Sequence, residues 1–261
     1  MSNTLTHCGA LVKQHDLDRF FLSLFAPVDR REALWTLFAF NHEIAKTREV
    51  VSETQLGLIR LQWWRDEIGK IYDTGQAPEN EILQALSKAI QTHALPQDTF
   101  ETLIYGREFD LEGVLPSTID GTLAYIEATN VPLMALMAQV LGVEESRAVA
   151  MNYGLIGLIR AIPFHAQQDR CYLPENELRI HDINEYTLYK GKNIEVIIPI
   201  VKDLTARMTD IKTAPKPFKA MNTWAKIYTN HLRKHGYDIY KMTNAPPPKF
   251  KELRTALGSL F

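Results

Sequence analysis

The chain has 261 residues, 46% of them hydrophobic, so it is long enough to bury one sizeable core. Its 29 Lys and Arg residues nearly balance its 31 Asp and Glu residues, which gives a formal net charge of −2. Because this balance leaves no basic surplus, we expect no nucleic-acid partner. Two cysteines are too few for a disulfide framework, so we expect a reducing compartment.

Helical periodicity dominates the sequence. Apolar residues recur every three or four positions over 30–50, with charged residues between them. A second such stretch covers 53–72 and is closed by Gly75 and Pro78. Further helices are predicted at 79–93, 97–112, 118–142, 145–162, 175–190, 193–212 and 216–235, with a last one after Pro246-Pro247-Pro248. Because few stretches alternate with period 2, we predict an all-α protein with a single domain over 1–261.

Several short segments, taken in chain order, resemble the squalene/phytoene synthase family. Two of them stand where that family carries its aspartate-rich helices: LFAFNHEIA at 37–45 and LIRAIPFH at 158–165. The others are DRFFLSLF at 18–25, REALWTLFAF at 31–40, LQWWRDEI at 61–68, YGREFDL at 105–111, Tyr125 with the apolar helix after it, GLIGLIR at 154–160 and DRCYLP at 169–174. The resemblance implies an isoprenoid-synthase-type helical bundle around a central apolar cavity.

The resemblance also implies a metal site that this chain has lost. The family uses Asp-x-x-x-Asp on each helix to hold Mg²⁺ against a prenyl diphosphate, since residues four apart share one helix face. Here the corresponding positions are Asn41 and Ala45 on the first helix, and Ala161 and His165 on the second. Mg²⁺ prefers carboxylate oxygens, whereas histidine prefers softer metals. We therefore expect no metal site, no cofactor and no assured catalytic residue.

Two carboxylates could replace the missing ligands. Glu49 lies one turn beyond Ala45, and Asp169 lies beyond His165. Pro163 falls within the second segment, where it removes a backbone donor and is expected to end or kink the helix.

The pattern of losses, together with VSETQLGLIRLQWW at 51–64, resembles one branch of the family. Its best-known member is a mitochondrial assembly factor for respiratory complex I. The resemblance implies a non-catalytic protein that binds an isoprenoid or lipid-like small molecule, or an assembly-type factor that contacts complex I subunits and the membrane periphery. The alternative is a head-to-head prenyl transferase that condenses two prenyl diphosphates at an unusual Mg²⁺ site. A third interpretation is a peripheral membrane scaffold without a ligand.

Besides Glu49 and Asp169, four further residues are ligand-binding candidates. Arg160 could hold an anionic headgroup or form a buried ion pair. Arg170 and Tyr172 match family positions near the diphosphate, although a structural clamp before Pro174 is favoured. Tyr125 could close the cavity, but a packed tyrosine with a satisfied hydroxyl group is favoured.

The N-terminal residues resemble neither a signal peptide nor an Arg-rich transit peptide, and the longest apolar stretches are too short to span a bilayer. We expect a bacterial cytoplasmic protein, at most peripheral to the inner membrane. If a transit peptide has been removed, the expected location is the mitochondrial matrix.

Overall fold

The computed structural model describes residues 5–191 and 194–260. Within this part of the chain there are α-helices, one 3₁₀ helix and no β-strand, so the all-α prediction is confirmed. The α-helices are α1 His7–His15, α2 Leu17–Ser23, α3 Val28–Ala45, α4 Thr47–Val50, α5 Thr54–Thr74, α6 Glu81–His93, α7 Gln97–Tyr105, α8 Phe109–Glu112, α9 Ile119–Leu141, α10 Arg147–Ala166, α11 Glu175–Ile180, α12 Glu185–Tyr189, α13 Ile198–Ala206, α14 Lys216–Lys234, α15 Ile239–Asn244 and α16 Lys251–Leu260.

The fold divides into two compact units. The first contains the chain up to Glu112 together with Ala128–Ser146 and Pro215–Pro217. The second contains Gly113–Glu127, Arg147–Ala214 and the chain from Phe218 onward. The single domain predicted over 1–261 stays a prediction.

The first unit is built around α3 and α5. Apolar residues of α3 recur at helical spacing and are buried, and the Phe40 ring packs edge-on against Trp64 of α5 at 5.4 Å and against Phe100 of α7 at 5.6 Å. Gly75 ends α5 in the left-handed conformation at φ 74°, which glycine adopts without a steric penalty. Gly57 permits the close approach of Leu111, whose Cδ2 would lie 2.6 Å from an added Cβ.

The second unit contains α10 and α14. α14 buries Phe218, Met221, Trp224, Tyr228 and Leu232, which form one face at helical spacing. This face explains why residues 216–235 were predicted as a helix.

Several predicted helices are shorter than expected or interrupted. The stretch 30–50 is divided after Ala45 because Lys46 caps α3, and 97–112 is divided between α7 and α8. The stretch 193–212 consists of the 3₁₀ helix Ile194–Ile197 followed by α13, which ends at Ala206. The prediction for 193 lies outside the described residues. These boundaries depend on local capping, which apolar periodicity does not encode.

Pro163 does not end its helix. α10 continues through Pro163 to Ala166, so an end at this residue is wrong, whereas the alternative of a kink stays a prediction. Proline removes a single donor to the carbonyl group four residues earlier, and the following residues supply their own donors for the last turn. Across the described ranges, no helix is long and apolar enough to cross a membrane.

Candidate functional site

Asn41, the residue at the first motif position, is hydrogen-bonded to an arginine. Asn41 is buried on α3, and its Oδ1 accepts a hydrogen bond from Nη2 of Arg107 at 3.2 Å. Arg107 lies between α7 and α8, in the segment that carries part of the family resemblance. Its Nη1 is 3.6 Å from Oδ2 of Asp110, and the two side chains are only 12% and 6% exposed. A buried guanidinium cation is thus placed against the oxygen of the first motif.

Glu43, Ala45 and Glu49 are the other positions of this segment that bear on a metal site. Glu43 is paired with Lys46 and with Arg60, whose Nη2 is 2.8 Å from Oε2. Ala45 provides no ligand atom. Glu49 is exposed on α4, beyond the interruption at the end of α3, so it does not continue the register of that helix. Its role as a replacement ligand stays a prediction.

The second motif lies in an aromatic cluster of the second unit. Ala161 and His165 are on α10, and the His165 ring packs edge-on against Tyr172 at 4.8 Å. Tyr172 also stacks on Tyr125 at 4.8 Å, and its carbonyl oxygen accepts a hydrogen bond from the hydroxyl group of Thr122 at 3.1 Å. The structure therefore brings Tyr125, His165 and Tyr172 together. These contacts are those of packed aromatic residues, and a ligand-binding role for them stays a prediction.

The turn after α10 closes back onto this cluster. The backbone N–H of Arg170 donates to the carbonyl oxygen of His165 at 2.9 Å. Asp169 is exposed within this turn, with φ 53°. Arg170 and Tyr172 border a cavity of only about 10 Å³. Since that volume scarcely admits one water molecule, the cavity is too small for a prenyl chain. Beside it, burial raises the pKa of the Cys171 thiol to about 12.

A larger, open pocket lies on the other side of α10. Its volume is about 460 Å³. Arg160 and Ala161 line it together with Tyr228 and His231 of α14, and Met242, Pro247 and Pro248 complete its apolar part. None of the residues that line it is acidic. An open pocket with basic groups and an apolar rim can receive a molecule with an anionic head and an apolar body.

Arg160 is held in this pocket by an aromatic ring. Its guanidinium carbon lies 3.6 Å from the centre of the Tyr228 ring, a cation–π contact. The hydroxyl oxygen of Tyr228 accepts a hydrogen bond from Nζ of Lys251 at 3.0 Å. Burial lowers the pKa of His231, and the neighbouring His235 and Lys234 lower it further. The sequence predictions for Arg160, a headgroup contact or a buried ion pair, both stay predictions.

The residues at the motif positions do not fit a magnesium cluster. The Asn41 oxygen faces a guanidinium, and the second motif offers a single imidazole in place of two carboxylates. Throughout residues 5–191 and 194–260, no group of three or more His, Cys, Asp or Glu side chains could hold a metal ion.

Sequence reasoning did not identify Arg107, Tyr228 or His231 as functional candidates. Arg107 lies in the segment YGREFDL at 105–111, which resembles the family, and its charge was the available sequence signal of a functional role. Tyr228 and His231 are three residues apart on a predicted helix, a spacing that puts them on one face but indicates no chemistry.

The chain is similar to known proteins of one family. The family model for squalene/phytoene synthase matches residues 12–249. The chain is 26% identical over 212 residues to "NADH dehydrogenase (ubiquinone) complex I, assembly factor 6" of Bos taurus, covering 79% of this chain and 63% of that protein. It is 22% identical over 204 residues to chloroplastic phytoene synthase of Daucus carota, covering 74% and 51%. The crystal structure of squalene synthase HpnC from Alicyclobacillus acidocaldarius has a TM-score of 0.75 at 17% identity, covering 88% of this chain and 93% of that chain.

These matches confirm the predicted fold class, an isoprenoid-synthase-type helical bundle, and the predicted resemblance. The chain spans less than two thirds of the length of the assembly-factor and phytoene synthase relatives.

Proposed function

Because the chain belongs to the squalene/phytoene synthase family, we propose that it is an assembly-type member that acts by binding and does not ionise prenyl diphosphates. The observation that carries the proposal is the Arg107 guanidinium, which lies 3.2 Å from the Asn41 oxygen at the first motif. A fixed cation at this position repels a second cation, whereas prenyl transfer requires metal ions there.

The chemistry of the reaction explains why the loss matters. Ionisation of an allylic diphosphate releases pyrophosphate, whose charges must be neutralised as the bond breaks. Preorganised electrostatic stabilisation of this kind is usually the largest catalytic term. Ala45 and Ala161 contribute no ligand oxygen, and His165 packs against Tyr172. These positions therefore support binding better than ionisation.

The proposed ligand is an isoprenoid or lipid-like molecule with an anionic head. Arg160 gives the pocket of about 460 Å³ its cationic end, while Met242, Pro247 and Pro248 give it an apolar side. The proposed protein partners are subunits of respiratory complex I. This part of the proposal rests on the Bos taurus relative, which is named as a complex I assembly factor.

The first test is a product assay with purified, folded protein. Radiolabelled farnesyl or geranylgeranyl diphosphate is supplied with Mg²⁺ or Mn²⁺, with and without NADPH, and an active family enzyme is run in parallel. We expect no C30 or C40 product from this chain under conditions in which the control enzyme turns over. Mass spectrometry of co-purifying lipids and respiratory subunits, with Arg160→Gln as the matched variant, then tests binding.

A head-to-head prenyl transferase is the second candidate. It is favoured by the likeness to phytoene synthase and by Arg160, which lies in an open pocket beside the second motif. A C30 or C40 product that disappears with EDTA would support it and contradict the first proposal. Glu49→Gln and Asp169→Asn would then be expected to lower turnover.

The motif alignment has its own test. Asn41→Asp, Ala45→Asp, Ala161→Asp and His165→Asp, combined in one variant, should raise the affinity for Mg²⁺ measured by titration calorimetry, because carboxylates are its preferred ligands. An affinity equal to that of the wild type would show that these residues are not the motif positions.

A further inference from the structure

Among the described side chains of α16, the two leucines face solvent and two hydroxyl-bearing residues face inward. On an ordinary surface helix the apolar face packs against the core and the polar face meets water. Here Thr255 and Ser259 are buried, whereas Leu253 and Leu257 are 57% and 49% exposed. Phe250, directly before the helix, is 73% exposed. We call Phe250, Leu253 and Leu257 the apolar row.

The inward face of α16 explains why this orientation is stable. The Thr255 hydroxyl donates to the carbonyl oxygen of Lys251 at 2.8 Å, and the Ser259 hydroxyl donates to that of Ala256 at 2.7 Å. Both buried hydroxyl groups are therefore satisfied within the helix itself. An added Cβ on Gly258 would lie 2.8 Å from Cγ2 of Thr223, so α16 packs closely on α14. This close packing directs the apolar row outward.

The backbone of Phe250 has a strained conformation, which is a second, independent feature of this surface. Its φ is 53°, in the left-handed region that a bulky side chain rarely adopts. Its carbonyl oxygen accepts the backbone N–H of Arg254 at 2.8 Å, so the residue is fixed at the start of α16. Strained backbone of this kind persists where the surrounding structure imposes it, and it is frequent at binding sites. Here it holds an aromatic ring in solvent, beside two exposed leucines.

Basic residues border the apolar row. An open pocket of about 350 Å³ is lined by Lys234 and His235, from α14 and its C-terminal end, and by Lys249 and Arg254. Among the described residues, none that lines this pocket is acidic. Arg254 lies three residues before Leu257 on α16, a spacing that makes the two side chains neighbours on the helix surface. Glu252 projects about 120° around the helix from the middle of the row.

We propose that the apolar row and this basic pocket together dock the protein on the surface of an anionic lipid bilayer. A helix that exposes apolar side chains next to lysine and arginine inserts its apolar face at the headgroup boundary, and the basic residues attract anionic lipids. We favour a bilayer over a protein partner because three exposed apolar side chains are enough to enter the headgroup boundary, where interfacial helices insert only to a shallow depth. The cations of Lys234, Lys249 and Arg254 in the basic pocket complement an anionic surface. The basic pocket shares His231, Pro247 and Pro248 with the proposed ligand pocket, whereas Phe250, Leu253 and Leu257 do not line that pocket, so variants of the leucines test this inference by itself.

The test is co-sedimentation with vesicles. One set contains phosphatidylcholine only, and the other contains about 30 mol% phosphatidylglycerol, an anionic surface. We expect the intact protein to bind the anionic vesicles and to be released by added salt, because screening weakens the charge term. Leu253→Gln with Leu257→Gln should lower the partition coefficient about tenfold or more, since apolar insertion is lost. Lys249→Gln with Arg254→Gln should lower it roughly fivefold per residue, on anionic vesicles only.

The matched control is Leu56→Gln with Ile59→Gln, which replaces comparably exposed residues of α5 and should leave vesicle binding unchanged. Since all these side chains are exposed, circular dichroism is expected to show that each variant is folded.

Four outcomes would overturn the proposal. The first is absence of vesicle binding by the intact protein, and the second is an equal loss in the control variant. The third is displacement by inorganic phosphate with no requirement for Leu253 and Leu257, which would indicate a site for free anions. The fourth is concentration-dependent self-association that the leucine variant abolishes, without vesicle binding, which would indicate that a second copy covers this face.

Discussion

Arg107 provides the sharpest test of how this chain differs from a metal-dependent synthase. Arg107→Met keeps most of the side-chain length but removes the charge from a pair in which the arginine is 12% and Asp110 only 6% exposed. It also removes the donor to Asn41 at 3.2 Å. Losing one partner of a buried ion pair typically costs about 3–5 kcal/mol, since the remaining charge stays in a poorly solvated site. We expect the free energy of unfolding to fall by about 3 kcal/mol, at the lower end, because the arginine is partly solvated.

The assay is urea unfolding followed by tryptophan fluorescence and by circular dichroism. A loss of about 3 kcal/mol corresponds to a decrease in Tm of roughly 6–12 °C for a chain of this size. Arg107→Lys retains a charge but not the planar fork, so its loss should be about half as large. Arg107→Met combined with Asp110→Asn should recover much of the stability, because the buried carboxylate is removed as well.

Two results would refute the reasoning. The first is an Arg107→Met protein whose unfolding free energy lies within about 0.5 kcal/mol of the wild type, the range of a surface substitution. The second is a double variant whose loss is the sum of the single losses, since additivity would mean that Arg107 and Asp110 do not interact. Either result would remove the guanidinium as the explanation for the altered first motif.

Three further predictions concern packing, pH and thiol reactivity. Gly106→Ala should destabilise the fold by about 1–3 kcal/mol in urea titrations, because the new Cβ would lie 2.9 Å from the carbonyl oxygen of Ala128. Burial lowers the pKa of His42 in the folded protein below its ordinary value of 6.5. The contribution of this residue to stability is therefore complete above pH 6.5. It is lost as the pH falls from there toward the lower pKa of the folded state. His42→Gln should therefore flatten the fall in unfolding free energy below about pH 6.5, and an unchanged slope would contradict this. Burial raises the pKa of Cys8 to about 11 and that of Cys171 to about 12, so both thiols should react with Ellman's reagent only in denaturant, and rapid labelling of the native protein would contradict it.

The sequence determined the fold class, and it predicts the loss of the usual metal chemistry. Apolar residues at helical spacing are sufficient to predict α3, α5 and α14, because burying one face of a helix depends on the pattern alone. Replacement of carboxylates by Asn41, Ala45, Ala161 and His165 is likewise visible in sequence, since ligand preference is a property of the residue type.

The interruption at Lys46 depends on local capping, whereas the course of α10 through Pro163 was decided by the tertiary structure. Local propensity favours the end of a helix at proline, but packing of the helix against its neighbours can override this preference. The residues now placed at the candidate sites were also decided there. Arg107 reaches Asn41 across 66 positions of the chain, and Arg160 lies over a ring that α14 supplies. A single sequence does not specify which distant side chains meet, because such contacts depend on how the helices pack. For that reason the sequence identified the missing carboxylates, and only the tertiary structure identified the guanidinium beside the first motif.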